Sequence, residues 1–331
     1  MKTVHFNNVY VHSAACSGGP MEKDGLLGSD IDVTFDDIYC GEKTYEMAER
    51  RLLASAVEAM LKKGDLKAED VDCYVGSDLI NQLGTAHYFM KHINQSFFGV
   101  YAACSASTLS SAVAGMLIEG GFCEKVCAFA SSHNATAERQ FRYPNEYGIQ
   151  KPDTTTFTVT GAGAICFSSQ KSDIQMVSAT IGKVIDFGFK NVNDMGSAMA
   201  PAAYDTIMTH FKNTNTDFSD YDLVVTGDLS KIGHQVLFDL FNSQNVDTQT
   251  KLSDCGLMVY NLESQPVFSG GSGCACSVLG TIASIFKKMK EGKLNRVLIA
   301  ATGALLSPVM IQQKDSIPCV SHCVVYQRCD I

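Results

Sequence analysis

The sequence of 331 residues predicts an α/β fold made of two duplicated halves, in which strands of a parallel sheet alternate with helices. Two repeated patterns predict this architecture, and the first is a strand. Residues 72–79 (DCYVGSDL) are matched by residues 222–229 (DLVVTGDL), an offset of 222 − 72 = 150. Each is a short apolar strand that ends beside an aspartate, Asp78 in the first half and Asp228 in the second.

The second repeat is a small-residue turn, at Cys104 and again at Gly273, followed by an apolar helix and a strand. The strands KVCAFASS and RVLIAATG align at Val126 and Val297, an offset of 297 − 126 = 171. Because both helices are apolar on nearly every face, we expect them to be buried between sheets. We place the division between the halves at residue 170, which gives domains 1–170 and 171–331.

A third element is the amphipathic segment Lys43–Lys63, which predicts a helix closed by a C-cap glycine, Gly64. The charged stretch that follows it, DLKAEDVD, leads into the strand at Cys73.

Composition excludes several classes of function. The chain is 46% hydrophobic and has a formal charge of −9, and its basic residues are scattered along the sequence, so we expect no nucleic-acid partner. The N-terminus lacks the pattern of a signal peptide, and the longest apolar stretches, such as Val297–Leu306, are shorter than the roughly 20 residues that span a bilayer. The sequence therefore predicts a protein synthesised for the cytoplasm.

The thirteen cysteines fall mainly within apolar runs, which indicates reduced thiols in the core. The best candidate for a metal site is the group Cys319, His322 and Cys323. No second pair stands at zinc-ligand spacing, and the alternation in IPCVSHCVVYQ is typical of a strand. We therefore predict neither a metal site nor a cofactor.

Cys104 is the candidate nucleophile. It ends the apolar run FFGVYAAC and precedes the small residues that open a buried helix. A thiol at a helix N-terminus is favoured as thiolate by the helix dipole and the free amides. The alternative is a core cysteine at a tight turn between strand and helix.

A nucleophilic cysteine needs a partner that moves protons, and His133 with Asn134 follows the next strand end. The alternative for His133 is a structural histidine that caps the strand. The polar loop after it carries Arg139, Arg142 and Lys151. An arginine there matches a carboxylate with two parallel donors, although a solvated surface loop explains the same composition.

The glycine-rich turn Gly270–Gly273 lacks the spacing of a nucleotide-binding loop. Its plain interpretation is a close-packed turn before a buried helix. Because it corresponds to Cys104 across the duplication, we also expect it to form a second wall of one pocket, with Ser272 in that wall.

These features together resemble the thiolase superfamily, which includes the condensing enzymes of fatty-acid synthesis. The likeness is carried by the duplicated unit, the Ala-Ala-Cys104 turn and the Gly-Gly-x-Gly turn. It implies a five-layered fold with central helices, an acylated cysteine and a homodimer. It also implies a catalytic histidine and an asparagine from the second half, where this sequence has Asp228 and Ser272.

A closer resemblance, over nearly the whole chain, is to the stage V sporulation protein AD family. It rests on the stretches EKDGLLGS, SSHNATAERQFRYPNEYG, VTGAGA, DMGSAMAPAA, DCGLMVY, GGSGCACS, LNRVLIAATGALLSP and QQKDSIPC. The resemblance implies a non-enzymatic, soluble ligand-binding subunit of the SpoVA complex, which moves dipicolinic acid into the developing spore. It also implies a place at the inner spore membrane through SpoVA membrane proteins, and a link to germination.

Dipicolinate is a flat ring with two carboxylates, so we expect cations at its site. The expected ligand-binding set is Cys104, His133, Asn134, Arg139, Arg142, Asp78, Asn81, Asp228 and Ser272, with Lys151 as a further cation. If the ligand arrives as its calcium chelate, Asp78 or Asp228 meets the metal. The alternative function is an acyltransferase that uses Cys104 as its nucleophile.

Overall fold

The computed structural model describes residues 3–329, and its strands order the molecule. The strands are β1 (Thr3–His5), β2 (Tyr10–Gly18), β3 (Val33–Thr34), β4 (Cys73–Ser77), β5 (Ser96–Gly99), β6 (Lys125–Ser132), β7 (Phe157–Thr158), β8 (Gly161–Ser168), β9 (Ile174–Ile181), β10 (Leu223–Thr226), β11 (Leu252–Asp254), β12 (Gly271–Ser272), β13 (Arg296–Ala304) and β14 (Cys319–Arg328).

The helices pack against these strands, and two of them lie at the centre of the molecule. They are α1 (Pro20–Lys23), α2 (Tyr45–Lys63), α3 (Gly84–Ile93), α4 (Ala106–Glu119), α5 (Asn134–Phe141), α6 (Met195–Thr214), α7 (Ser230–Ser243), α8 (Cys274–Leu279), α9 (Lys287–Lys290) and α10 (Pro308–Gln312), with a π-helical segment, Gly280–Phe286, joining α8 to α9. Short 3-10 turns, among them Ala103–Ser105, occupy several of the connections.

The large sheet confirms the α/β class and shows the duplication directly. Its strand order is β11-β10-β13-β14-β9-β2-β8-β6-β4-β5. Read outward from the centre, each half repeats the same sequence of positions, and β2 meets β9 through the pair Tyr10 and Gln175. The division of the chain at residue 170 stays a prediction.

The sheet is mixed, whereas the repeats predicted parallel strands. Strands β4, β5 and β6 are parallel, as are β10, β11 and β13, but β8 and β14 run antiparallel to their neighbours. The reason is the connection: α5 and the loop after it leave the carboxyl end of β6, so the chain enters β8 from that same end. A parallel pair needs a crossover back to the opposite end.

The two apolar helices occupy the centre of the molecule, as expected. The main hydrophobic core joins Ala112 of α4 and Ile285 of the π-helical segment to strands of both halves, Val126 of β6 and Val297 of β13. The residues from 274 to 286 are all buried. The central helices therefore bring the start of α4 and the start of α8 close together.

Helix α2 confirms the amphipathic segment. It begins at Tyr45, because the Thr44 side chain accepts a hydrogen bond from the Met47 amide at 3.3 Å. Gly64 is its C-cap, as predicted, although the backbone there is right-handed (φ −86°) and does not itself require glycine. Glycine is needed there for another reason, since a Cβ would lie 2.7 Å from the Ser13 Oγ atom on β2.

The C-terminal alternation forms strand β14, and Cys319, His322 and Cys323 lie along it as expected for a strand. Within residues 3–329, no group of three His, Cys, Asp or Glu side chains is arranged to hold a metal ion. No helix in that range has the length and apolar character needed to cross a membrane.

Candidate functional site

Cys104 lies at a strained turn where the two halves meet. The preceding residue, Ala103, has φ of 47°, a left-handed conformation that costs an alanine about 1 kcal/mol or more. The turn is held by Ser105, whose Oγ donates to the Ala301 carbonyl at 2.8 Å. It also packs on Gly303 of β13, where a Cβ would lie 2.2 Å from the Ala102 oxygen. The second half therefore fixes the position of the thiol.

Cys104 lines a narrow cavity at this junction. The cavity volume is about 30 Å³, room for about two water molecules. Its walls come from both halves and from the loops at the carboxyl ends of the strands. They consist of Leu79, Tyr101, Ala103, Cys104, Ala137, Phe141, Arg142, Thr156, Thr158, Met195, Ser272, Ala304 and Leu306.

Three of the residues expected in the site come together beneath this cavity. The Cys104 thiol lies beside the Asp228 carboxylate and the Ser272 hydroxyl, and both affect its pKa. The Ser272 Oγ atom donates to Asp228 Oδ2 at 2.9 Å, and Thr302 Oγ1 donates to Asp228 Oδ1 at 2.6 Å. Asp228 is 1% exposed. The ends of β10 and β12 and the Cys104 turn thus form one polar cluster, which we call the Asp228 cluster.

The thiolate expected at the helix N-terminus is not favoured in this cluster. Burial raises the pKa of Cys104 well above its ordinary value, and the negative charge of Asp228 raises it further. Hydrogen bonds from Ser272 and from the Gly273 amide lower it, but they do not reverse the shift. The helix dipole acts only over the first turn and is outweighed here by desolvation and a neighbouring carboxylate.

No histidine among residues 3–329 lines the cavity. His133 Nε2 lies 2.8 Å from the Ile38 carbonyl, and its Nδ1 accepts the Ala135 amide at 3.1 Å, so it caps α5. Burial lowers the pKa of His133. Asn134 beside it is occupied as well, since its Oδ1 accepts a hydrogen bond from Asn145 at 2.8 Å. The structure places both residues outside the cavity wall.

Arg142 and Arg139, which the sequence could not distinguish, lie in different places. Arg142 lines the cavity and forms a buried pair with Glu138, whose Oε2 accepts from Arg142 Nε at 3.0 Å. Lys151 adds a second cation, with its Nζ 3.0 Å from the same Glu138 oxygen. The two cations hold the pKa of Glu138 below its ordinary value despite its burial. Arg139 instead pairs with Glu46 at a half-exposed surface.

Asp78 and Asn81 are also outside the cavity. Asp78 is buried and accepts the Ile80 amide at 2.9 Å and the Ala86 amide at 2.8 Å, so it organises the turn before α3. Asn81 lies in a separate surface groove, where its Oδ1 accepts from Gln140 at 3.3 Å. Asp78 and Asp228 therefore lie in separate places, and the carboxylates of residues 3–329 form no group that could hold calcium.

Glu138 and Thr302 were not among the residues expected in the site. The spacing of Glu138 and Arg142, four residues apart at the end of a helix, is the usual signal of an ion pair and was available in the sequence. The duplication gave a signal for the Thr302 hydroxyl, because 302 − 171 = 131 and Ser131 carries a hydroxyl at the matching position of β6.

Comparison with known proteins gives a family and a fold. The family model described as stage V sporulation protein AD (SpoVAD) matches residues 1–327. The chain is 52% identical over 320 residues to stage V sporulation protein AD of Bacillus subtilis (strain 168), covering 97% of this chain and 94% of that protein.

Solved structures of condensing enzymes share the fold. One is 3-oxoacyl-[acyl-carrier-protein] synthase III from Aquifex aeolicus VF5, with a TM-score of 0.61 and 13% identity over 96% of this chain and 99% of that one. Another is a variant of OleA from Xanthomonas campestris bound with cerulenin, with a TM-score of 0.60 and 15% identity over 97% of each chain. The fold is therefore thiolase-like, as expected.

Proposed function

The chain belongs to the stage V sporulation protein AD family, and from this premise we propose that it is a ligand-binding subunit that takes up dipicolinic acid in the Cys104 cavity for delivery to the developing spore. Membership of the family assigns the chain to sporulation. The ligand and the direction of transport are our proposal.

The observation that supports binding without catalysis is the set of partners around Cys104. A cysteine that forms and attacks thioesters needs a base to remove its proton and a donor to stabilise the oxyanion. Cys104 instead contacts the carboxylate of Asp228 and the hydroxyl of Ser272. Burial and the negative charge of Asp228 raise the pKa of the thiol, and no histidine of residues 3–329 lines the cavity, so we infer that the cavity is unsuited to acyl transfer.

The charge around Arg142 supports an anionic ligand. Arg142 and Lys151 both contact Glu138, so this group carries one net positive charge. Among the described residues that line the cavity, Arg142 is the one cation, and its side chain is only 7% exposed. A carboxylate that reaches it exchanges water for a desolvated guanidinium, which is a strong charge-assisted contact.

The small volume of the cavity means that an aromatic ligand enters by displacing side chains. A space of about 30 Å³ is too small for an aromatic ring. Tyr101 is 46% exposed and Phe141 is partly buried, and both line the cavity. We propose that they separate and then pack against the faces of the pyridine ring.

We propose that the chain pairs with a second copy through β5. This strand ends the sheet and bonds only to β4 among the described strands. Phe98 on it is 51% exposed. Antiparallel addition of a second β5 satisfies the free edge and buries this ring. Sedimentation equilibrium of the wild type and of Phe98→Asp measures the oligomeric state. We expect the wild type to be a dimer and the variant to be a monomer. A monomeric wild type contradicts the pairing.

We propose that the protein reaches the inner spore membrane through the membrane proteins of the SpoVA complex, as its family resemblance implies. Dipicolinate is the proposed cargo, either free or as its calcium chelate. The structure favours the free anion, since the carboxylates expected to meet calcium, Asp78 and Asp228, lie in separate hydrogen-bonded turns.

The alternative function, an acyltransferase, is favoured by one observation: the thiol is retained at a strained turn at the start of a central helix. Replacing the thiol separates the two functions. A nucleophile is indispensable for acyl transfer, whereas a cavity wall contributes only part of a binding energy.

We expect Cys104→Ala to fold normally and to weaken dipicolinate binding by about 1 kcal/mol, the size of one neutral hydrogen bond. Isothermal titration calorimetry measures the change. Cys123→Ala is the control, because Cys123 is a partly exposed thiol that does not line the cavity. Wild-type affinity in Cys104→Ala removes the thiol from the binding site.

A further inference from the structure

The Asp228 cluster places a buried carboxylate directly behind the cavity that we propose as the site of an anionic ligand. Asp228 lies beneath two residues of the cavity wall, Cys104 and Ser272: its carboxylate accepts a hydrogen bond from Ser272 and lies beside the Cys104 thiol. An anionic group that contacts either residue therefore approaches a buried carboxylate. The groups with the strongest effect on the Asp228 carboxylate are Thr302, Asp254, Ser272 and Cys104, and none of them is a cation.

The titratable groups that act on Asp228 are thiols and one carboxylate, Asp254, which in turn faces His234 of α7. They come from the turn before α4, from the last residue of β11 and the residue after it, from α8 and from β14. These groups are Cys104, Asp254, Cys255, Cys274, Cys276 and Cys319. The Asp228 carboxylate also accepts hydrogen bonds from two hydroxyls, Thr302 and Ser272, and from the Gly273 amide at 3.4 Å, none of which carries a charge. The nearest cavity cation, Arg142, is already paired with Glu138.

The Asp228 carboxylate and a ligand carboxylate that contacts Cys104 or Ser272 lie close together in a desolvated site. Two like charges placed in this way repel strongly unless one of them takes up a proton. A dianionic ligand brings the second charge with it. Arg142 offsets the charge of one ligand carboxylate. The other ligand carboxylate, which contacts Cys104 and Ser272, meets no positive charge there. Protonation of Asp228 removes the repulsion without moving any part of the fold.

The hydrogen bonds of the cluster allow this step to help the ligand directly. In the free protein the Ser272 hydroxyl donates to Asp228 Oδ2. When a proton from solvent binds that oxygen, the new O–H donates to Ser272 Oγ, and the Ser272 hydroxyl becomes free to donate to the ligand. One proton enters from water, and no other atom is exchanged.

We propose that binding of a carboxylate ligand in the Cys104 cavity is coupled to uptake of one proton at Asp228, which turns Ser272 towards the ligand. This inference rests on the proposed function, since it needs an anion in that cavity. It makes Asp228 the residue that sets the pH dependence of binding.

The electrostatic environment of the free protein supports this assignment. Burial, together with the charge of Asp254, raises the pKa of Asp228 to about 6, against its hydrogen bonds with Thr302 and Ser272. An added negative charge raises that pKa further. Because the complex then holds more protons than the free protein, affinity increases as pH falls from 8 towards 6, by up to about tenfold per pH unit.

Calorimetry on the full chain tests the proposal, with dipicolinate as the ligand and no metal added. Titrations at pH 7.5 in buffers of different ionisation enthalpy count the protons taken up, and titrations from pH 6 to 8.5 give the change in Kd. We expect the wild type to take up close to one proton and to bind more tightly at low pH. We expect Asp228→Asn to bind with no uptake and a Kd independent of pH.

Asp78→Asn is the matched control, because Asp78 stands at the corresponding strand end of the first half and does not line the cavity. We expect it to keep the proton uptake of the wild type. The wild-type proton count tests the proposal by itself if Asp228→Asn fails to fold.

The outcomes distinguish this inference from the function on which it rests. Saturable binding by the wild type with no proton uptake overturns the inference and leaves the function standing. Uptake that persists in Asp228→Asn overturns the assignment to Asp228. Binding that requires added calcium and takes up no proton overturns the inference, because the metal then supplies the missing charge. Absence of binding at every pH overturns both.

Discussion

Arg142→Ala is expected to weaken dipicolinate binding by about 2–5 kcal/mol, the usual cost of truncating a desolvated charge partner. The side chain lines the cavity and is 7% exposed, so its charge is screened little by water. Removing it also leaves Glu138 with Lys151 alone, which cancels the net positive charge of the group. Calorimetric titration at pH 7 measures the change in Kd.

Arg139→Ala is the matched control for this prediction. Arg139 lies in α5, three residues before Arg142, yet it pairs with Glu46 at the surface, where its side chain is 50% exposed. Exposed pairs contribute little, and Arg139 does not line the cavity, so we expect wild-type affinity. Arg142→Lys should fall between, because an ammonium keeps the charge but loses the planar fork. Normal binding by Arg142→Ala would exclude this wall as the carboxylate site.

Gly303→Val is expected to abolish ligand binding and to lower the stability of the fold by about 1–3 kcal/mol, the range for overpacking a core. A Cβ at this position lies 2.2 Å from the Ala102 oxygen and 3.1 Å from the Ser105 amide nitrogen. Both are backbone atoms, so the Cys104 turn must shift. Thermal unfolding measures the stability, and calorimetry measures the binding.

Gly84→Ala is the control for a glycine that has room. Its nearest neighbour is the flexible end of Ile80 at 3.1 Å, and its φ of −60° suits any residue. Alanine at the start of α3 is expected to be neutral or to stabilise by about 0.4–1 kcal/mol, with binding unchanged. If Gly303→Val binds dipicolinate as tightly as Gly84→Ala, the position of the Cys104 turn does not matter to the ligand.

The fold could be predicted from the sequence because its signals are local and repeated. The apolar pattern of residues 72–79 recurs at 222–229, and two helices without a polar face can be stable only inside the molecule. The antiparallel strands β8 and β14 could not be predicted, because strand direction depends on the end of the sheet from which a loop returns. That is a property of the whole chain.

The site could be predicted only in part. Cys104, Asp228 and Ser272 follow small residues at the carboxyl ends of strands or in the glycine turn, and the duplication places those ends together. Arg139 and Arg142 look equivalent in the sequence. They separate because α5 ends at Phe141 and the backbone at Arg142 leaves the helix, with φ −130° and ψ −99°, which turns that side chain inward.

The neighbours of Cys104 show why chemistry at a cysteine is hard to infer from its position. A helix N-terminus favours a thiolate, but desolvation and the charge of Asp228 act on the same sulfur and raise its pKa. Asp228 is about 120 residues away in the chain, so its effect appears only in three dimensions.

The most direct test of the account is one calorimetric titration of the wild-type chain with dipicolinate, followed by incubation of the same sample with acyl-coenzyme A and mass spectrometry of the protein. The account predicts saturable binding of dipicolinate, with Cys104 remaining unacylated and the thioester intact. Acylation of Cys104 with turnover of the thioester, in a protein that does not bind dipicolinate, would contradict it.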